Sequence, residues 1–285
     1  MPVISYPFQV GETLTRVLEV GARDAPVILL QHGFTSRADR WCSTMTLLAE
    51  AGYRTIAPDL PGHGFASKAP EFDHSVRGYA NFISVLLDRL EIDRLTLVGT
   101  SLGGHLLAEL ACAAPHRTER LVMVGSMGLE PLPAARIAMM RAGLDDMSAT
   151  AMRKRLLSVF SNPEMVTEEM VREDALINSS PGAQDSLRAF ASYLGTHYVD
   201  DLVADRLVSA DGQFPLLLVW GDRDIPAPIA IGRNMRAMLP SALLAEMEGL
   251  SHTPYIEDPE TFTAILIAFT QGRLETIDIP GVSVI

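Results

Sequence analysis

The stretch Leu95–Gly104, LTLVGTSLGG, decides how this chain folds. Leu95–Gly99 is a short β-rich run, and residues 102–114 carry helical spacing until Pro115 ends them. Between the two lies Gly99-Thr100-Ser101-Leu102-Gly103, a G-x-S-x-G pattern. Small residues on both sides let a strand turn directly into a helix, with Ser101 held in a strained backbone. Such a turn exposes the hydroxyl at the carboxyl end of the strand and aims free helix N–H groups at the same point. Taken alone, the five residues equally suit a glycine-rich strand-to-helix joint, so the surroundings must decide.

On either side of this stretch, short β-rich runs alternate with helical stretches. The expected strands are 14–20, 27–31, 54–58, 95–99, 121–125, 216–220 and 243–246. Apolar residues at Val76, Tyr79, Phe82, Ile83, Leu86, Leu87 and Leu90 predict a helix with one face on the sheet. The alternation predicts an α/β fold with a mostly parallel central sheet flanked by helices. Between Glu130 and Gln213 the rhythm breaks. That stretch has helix formers and apolar positions, Asn162-Pro163 and Ser179-Ser180-Pro181-Gly182 as breaks, and no convincing strand. The expected organisation is therefore a core of 1–129 and 214–272, an inserted helical cap at 130–213, and a loosely held tail at 273–285.

Composition narrows the function. The 285 residues are 48% hydrophobic and 20% charged, as in ordinary globular proteins, with a net charge of −12. An acidic surface repels phosphate backbones and anionic lipid, which argues against nucleic-acid and membrane partners. A small-molecule substrate is the expected partner, and oligomeric state is not legible. Cys42 and Cys112 form no disulfide or zinc pattern. The start MPVISYPFQV lacks a signal peptide's basic and apolar segments, and the longest apolar runs fall far short of the ~20 residues of a membrane span. The expected location is the cytoplasm.

Four further motifs follow expected strands: His32-Gly33-Phe34, Asp59-Leu60-Pro61-Gly62-His63-Gly64, Gly221-Asp222-Arg223-Asp224 and Ser251-His252-Thr253-Pro254. Together with the serine turn, and in this order, they resemble the α/β-hydrolase superfamily over roughly residues 10–270. The resemblance implies a catalytic triad of Ser101 as nucleophile, His252 as general base and Asp224 as the acid that orients it. Asp222 and Glu130 are rival acids. It also implies an oxyanion hole from the backbone N–H groups of Phe34 and Leu102.

Among the other histidines, His32 is expected to brace the oxyanion loop, His63 to cap a turn, and His105 to pack in the core. His74, His116 and His197 read as surface residues. No metal-ligand spacing, phosphate loop or dinucleotide fingerprint is present, so no metal or cofactor is expected. Six methionines in 130–213 suggest either an adaptable pocket wall or plain core filling. Residues 156–176 resemble the cap of meta-cleavage-product C–C hydrolases. That resemblance implies substrate binding by Arg172, against a surface pairing with Glu168 or Glu169. Thr100, Thr253 and Phe34-Thr35-Ser36 depart from that subfamily. The expected activity is hydrolysis of a small, mainly apolar carboxylic ester or lactone. C–C bond hydrolysis is the alternative, and a non-hydrolytic perhydrolase or ligand receptor is a third reading.

Overall fold

Alternating side chains build the core on both faces of one sheet. In the computed structural model, which describes residues 1–285, nine strands form in chain order. They are β1 (Ile4–Val10), β2 (Thr13–Val20), β3 (Val27–Gln31), β4 (Arg54–Pro58), β5 (Leu95–Thr100), β6 (Thr118–Val124), β7 (Leu216–Gly221), β8 (Leu243–Met247) and β9 (Val282–Val284). Leu29, Leu97, Leu121, Met123, Leu218 and Leu244 bury on one face. Their neighbours Ile28, Leu30, Val98, Val122, Leu217 and Ala245 bury on the other. Strands covered on both faces read as continuous apolar runs, which is why these were visible in the sequence.

The first face is covered by α2 (Val76–Arg89), α3 (Leu102–Ala113) and α9 (Ala230–Met238), the second by α1 (Cys42–Glu50), α10 (Pro254–Glu257) and α11 (Pro259–Thr270). Helix α2 starts at Ser75, whose Oγ accepts the Gly78 N–H at 2.9 Å and so satisfies a free donor of the first turn.

The strand order is β1-β2-β4-β3-β5-β6-β7-β8-β9. Strands β3 to β8 run parallel; β1, β2 and β9 join antiparallel at the edges. From β3 the chain steps outward to β4, then returns to place β5 on the other side of β3. The loops leaving β3 and β5 thus diverge at a topological switch point, where open α/β sheets leave a crevice at their carboxyl ends.

Two strands escaped the sequence reading. β1 contains Pro7 and is largely exposed, tolerable only because an edge strand need not donate every N–H. β9 lies in the tail expected to be loose; it pairs Val284 with Ala245, and nearby Leu274 is buried, so main-chain pairing anchors the end of the chain.

Between β6 and β7 come α4 (Ala134–Gly143), α5 (Ala149–Val159), α6 (Glu168–Asn178), α7 (Ala183–Leu194) and α8 (Ala204–Ser209). Leu144, Met147, Met152, Leu156, Phe160, Val166, Val171, Leu187 and Ala191 form a small core of this insertion. Helix α4 is the exception, with no buried residue. No helix is long and apolar enough to cross a membrane.

Several histidines are buried uncharged. His105 Nε2 lies 2.7 Å from the Asp201 carbonyl, joining α3 to the insertion, and burial pushes its pKa down to about 4. His74 corrects the surface expectation: its ring is buried, with Tyr79 Oη at 2.9 Å and the Ala69 carbonyl at 3.2 Å, and loss of solvent lowers its pKa although the Ala69 contact opposes that. Histidines of the unfolded chain protonate near ~6.5. The stability carried by the neutral His105 ring is therefore complete above that pH and is lost as pH falls from there toward 4. The urea midpoint of the wild-type protein is expected to fall across this window more steeply than that of His105→Gln. Parallel slopes would contradict the assignment.

Candidate active site

Ser101 sits between β5 and α3 with φ 52° and ψ −116°, a backbone that L-residues rarely adopt. It persists because the surroundings over-determine it. The Ser101 N–H donates to the Val124 carbonyl at 2.9 Å, and the Ser101 carbonyl accepts from Met127 N at 3.1 Å and His105 N at 3.2 Å. The loop leaving β3 lies against this turn: a Cβ on Gly33 would stand only 3.1 Å from Ser101 Cβ. Neither Phe34 N–H nor Leu102 N–H donates to a backbone carbonyl. Leu102 opens the twelve-residue α3, so its amide also carries the positive end of the helix dipole.

His252 follows β8 and Asp224 follows β7. His252 Nδ1 lies 2.8 Å from Asp224 Oδ2, and the carboxylate is 1% exposed. Asp224 Oδ1 accepts the Ala227 N–H at 2.7 Å, which fixes its plane. A carboxylate only accepts, so Nδ1 is the donor in this contact and Nε2 is the ring nitrogen left for other partners. Gly125 leaves room for this contact, since a Cβ there would come within 2.8 Å of Asp224 Oδ2 and 3.0 Å of His252 Nδ1. Ser101 and His252 line the same cavity without a hydrogen bond between them. Such contacts commonly tighten only with substrate bound.

The rival acids lie elsewhere. Asp222 is exposed and accepts the Gly249 N–H at 2.7 Å. Glu130 is exposed at the cavity margin and makes no hydrogen bond or ion pair with His252, whose side-chain partner is Asp224. His32 receives the Leu60 N–H on Nε2 (3.0 Å) and so donates from Nδ1 to the Gly33 carbonyl (2.8 Å). Burial lowers its pKa and keeps it neutral. Asp59 accepts from Ala38 N (2.8 Å), Phe65 N (2.9 Å) and Arg16 Nε (2.9 Å), tying the next turn to the same loop.

The cavity encloses about 70 Å³, with Phe34, Met127, Leu129, Leu132, Met140 and Ile231 as its apolar wall. Of the six insertion methionines only Met140 lines it; Met147 and Met152 fill the insertion's own core. Arg136, on α4, also lines the cavity. It is half-buried, and burial lowers its pKa while Asp224 and Tyr198 oppose that from a distance. The sequence reading missed it; the available signal was a single cation early in an apolar helix.

Arg172 is not brought to this cavity: helix α6 turns Val171, Asp174 and Asn178 inward, and residue 172 is exposed and does not line it. The acidic pairing is also different, because Glu168 pairs with Arg153. No group of three His, Cys, Asp or Glu side chains converges so as to hold a metal ion.

A family model described as alpha/beta hydrolase fold matches residues 26–259. The chain is similar to a 2-hydroxy-6-oxo-2,4-heptadienoate hydrolase of Pseudomonas putida, at 26% identity over 266 residues, 91% of this chain and 93% of that one. Among solved structures it resembles a 2-hydroxy-6-oxo-6-phenylhexa-2,4-dienoate hydrolase of Rhodococcus sp. strain RHA1, with TM-score 0.85 and 21% identity, over 95% of this chain and 99% of that one. It also resembles a serine hydrolase of Cycloclasticus zankles, with TM-score 0.86 and 22% identity, over 97% of this chain and all of that one. At these identities the two structures speak for the fold alone.

The geometry separates the three acids. Asp224→Asn is expected to trap the wrong imidazole tautomer and lower kcat by about four orders of magnitude. Asp222→Asn and Glu130→Gln should each stay within about tenfold of wild type, since neither acid bonds to His252. Steady-state kinetics of the three variants decides, and a larger loss for Glu130→Gln would overturn the assignment.

Proposed function

The chain belongs to the α/β-hydrolase fold family, and from that premise we propose that it is a serine hydrolase of small, mainly apolar carboxylic esters or lactones. The observation that carries this reading is the 2.8 Å contact between His252 Nδ1 and Asp224 Oδ2 beside the cavity that Ser101 lines. In the proposed reaction His252 Nε2 takes the proton of Ser101 Oγ as the oxygen attacks the carbonyl carbon. The developing oxyanion is received by the Phe34 and Leu102 amides, each contributing roughly 3 kcal/mol or more to the transition state. Collapse expels the alcohol with the proton from His252, and water activated by the same ring releases the acid.

Residues 130–213 serve in this reading as a cap that selects substrate. The cavity of about 70 Å³ is well below the roughly 300 Å³ at which ligand pockets begin. Helix α4, which buries no residue and carries Arg136 and Met140, is the element whose displacement admits a substrate.

A second reading, C–C hydrolysis of a meta-cleavage product, is favoured by one observation. Arg136 brings an otherwise unpaired guanidinium to an apolar cavity, where it would receive a carboxylate such as those of the dienoates named for two of the similar proteins.

Kinetics on a neutral aryl butyrate and an anionic dienoate tests both readings. Ser101→Ala should abolish turnover of whichever substrate is used; a tenth of wild-type kcat remaining would sink the serine mechanism. Arg136→Gln should change the neutral ester by less than about threefold under the ester reading. Under the C–C reading it should cost about ten- to a hundredfold in kcat/KM on the dienoate, the worth of a charge-assisted hydrogen bond.

A further inference from the structure

The loop that leaves β3 is strained, and the insertion holds it. Thr35 has φ 58°, a left-handed backbone that is a genuine outlier for a β-branched residue. Its carbonyl accepts from Asn178 Nδ2 of α6 at 3.4 Å. Two residues on, the guanidinium of Arg37, with only 5% of its side chain exposed, pairs with Glu173 and Asp174 of the same helix and stands 3.2 Å from Asp39. Arg40 reaches Asp174 at 2.8 Å. Helix α6 thus grips the segment that begins with Phe34, through inward Asp174 and Asn178 and half-exposed Glu173.

The preceding hairpin arm grips the other reacting loop. The Val159 carbonyl, at the end of α5, accepts from His252 N at 3.2 Å and Thr253 Oγ1 at 3.1 Å. Glu257 receives both Ser161 N (2.6 Å) and Ser251 N (2.9 Å). Phe34 and Ile256 also pack on the small core of the insertion.

We propose that α5 and α6 form a fixed brace, and that Asp174 is a positioning residue that holds the Phe34 amide in place for the oxyanion. This rests on the serine-hydrolase reading. Loss of the Arg37 and Arg40 contacts frees Thr35 to relax toward ordinary backbone, which turns the adjoining peptides and moves the Phe34 N–H off its target. A buried guanidinium left with fewer carboxylates makes the grip weaker still. The motif that suggested an arginine ligand at position 172 therefore acts, on this account, through the two acids that follow it.

The test uses Asp174→Asn in the full chain, with p-nitrophenyl butyrate as substrate and active sites counted by fluorophosphonate titration. The expected result is a kcat per titrated site lower by about ten- to a hundredfold, the cost of misplacing a catalytic group by an ångström or less. KM should stay within about twofold, because the amide acts on the transition state. Affinity for a propyl trifluoromethyl ketone, which forms the tetrahedral adduct, should fall by the same factor as kcat. Asp174→Glu should recover most of the loss, and hydrogen exchange at residues 33–36 should quicken only in the asparagine variant.

Unchanged kcat per site and unchanged ketone affinity would overturn the brace, even with a lower melting temperature. If Asp174→Asn does not fold, Glu173→Gln, at a half-exposed side chain, is read by the same criteria. A wild-type protein that neither turns over the ester nor takes the fluorophosphonate would overturn the hydrolase reading instead. The brace is then decided by exchange at residues 33–36: faster in the variant supports it, unchanged overturns it.

Discussion

Everything in the site depends on one backbone reversal, the passage from β5 into α3 through Ser101 at φ 52°. A chain relaxes out of such a conformation unless its neighbours forbid it. Here the Ser101 amide is bonded to the end of β6 and its carbonyl to the loop that follows, so the reversal and the β6 loop hold one another. The switch point between β3 and β5 then brings the Phe34 loop alongside. The sheet sets the position of the serine; the hydrogen bonds around it set its angle.

The second constraint is charge placed without solvent. Asp224 is 1% exposed and makes two hydrogen bonds, one to His252 Nδ1 and one to a backbone amide. A buried carboxylate is tolerated when its lone pairs are used in this way, and the cost of unpairing it makes the ring orientation hard to disturb. Around this centre the polar groups are chosen to stay neutral or paired: His32 uncharged under the Gly33 carbonyl, Asp59 saturated by amides and Arg16, Arg37 among three carboxylates. The insertion divides accordingly. Its α5 and α6 are tied by charge and hydrogen bonds to the loops that carry Phe34 and His252, while α4 buries nothing.

Much of the fold was legible because it rests on period-two and helical patterning. The doubly buried strands β3 to β8 announce themselves as apolar runs, and α2 as a spaced stripe. β1 hid behind Pro7, and β9 behind its three-residue length, since edge pairing is a main-chain property that side-chain patterns do not record. The residues around the candidate site were legible where a turn demands a residue type, as at Gly99–Gly103 and Gly221–Asp224. They were illegible where position depends on how a helix is rotated. Arg172 and Asp174 differ by two residues, about 200° around a helix axis, and only the packing of α6 tells which faces inward. Arg136 was missed for the same reason.

The proposed reaction requires that Ser101 attack the carbonyl and carry the acyl group. Mixing enzyme with p-nitrophenyl butyrate, quenching in acid within the first turnovers, and mapping the peptides by mass spectrometry shows whether it does. One butyryl group is expected on the peptide containing Ser101, and none in His252→Ala quenched alike. Turnover of the ester with an unmodified Ser101 peptide, or with the butyryl group on another residue, would contradict it.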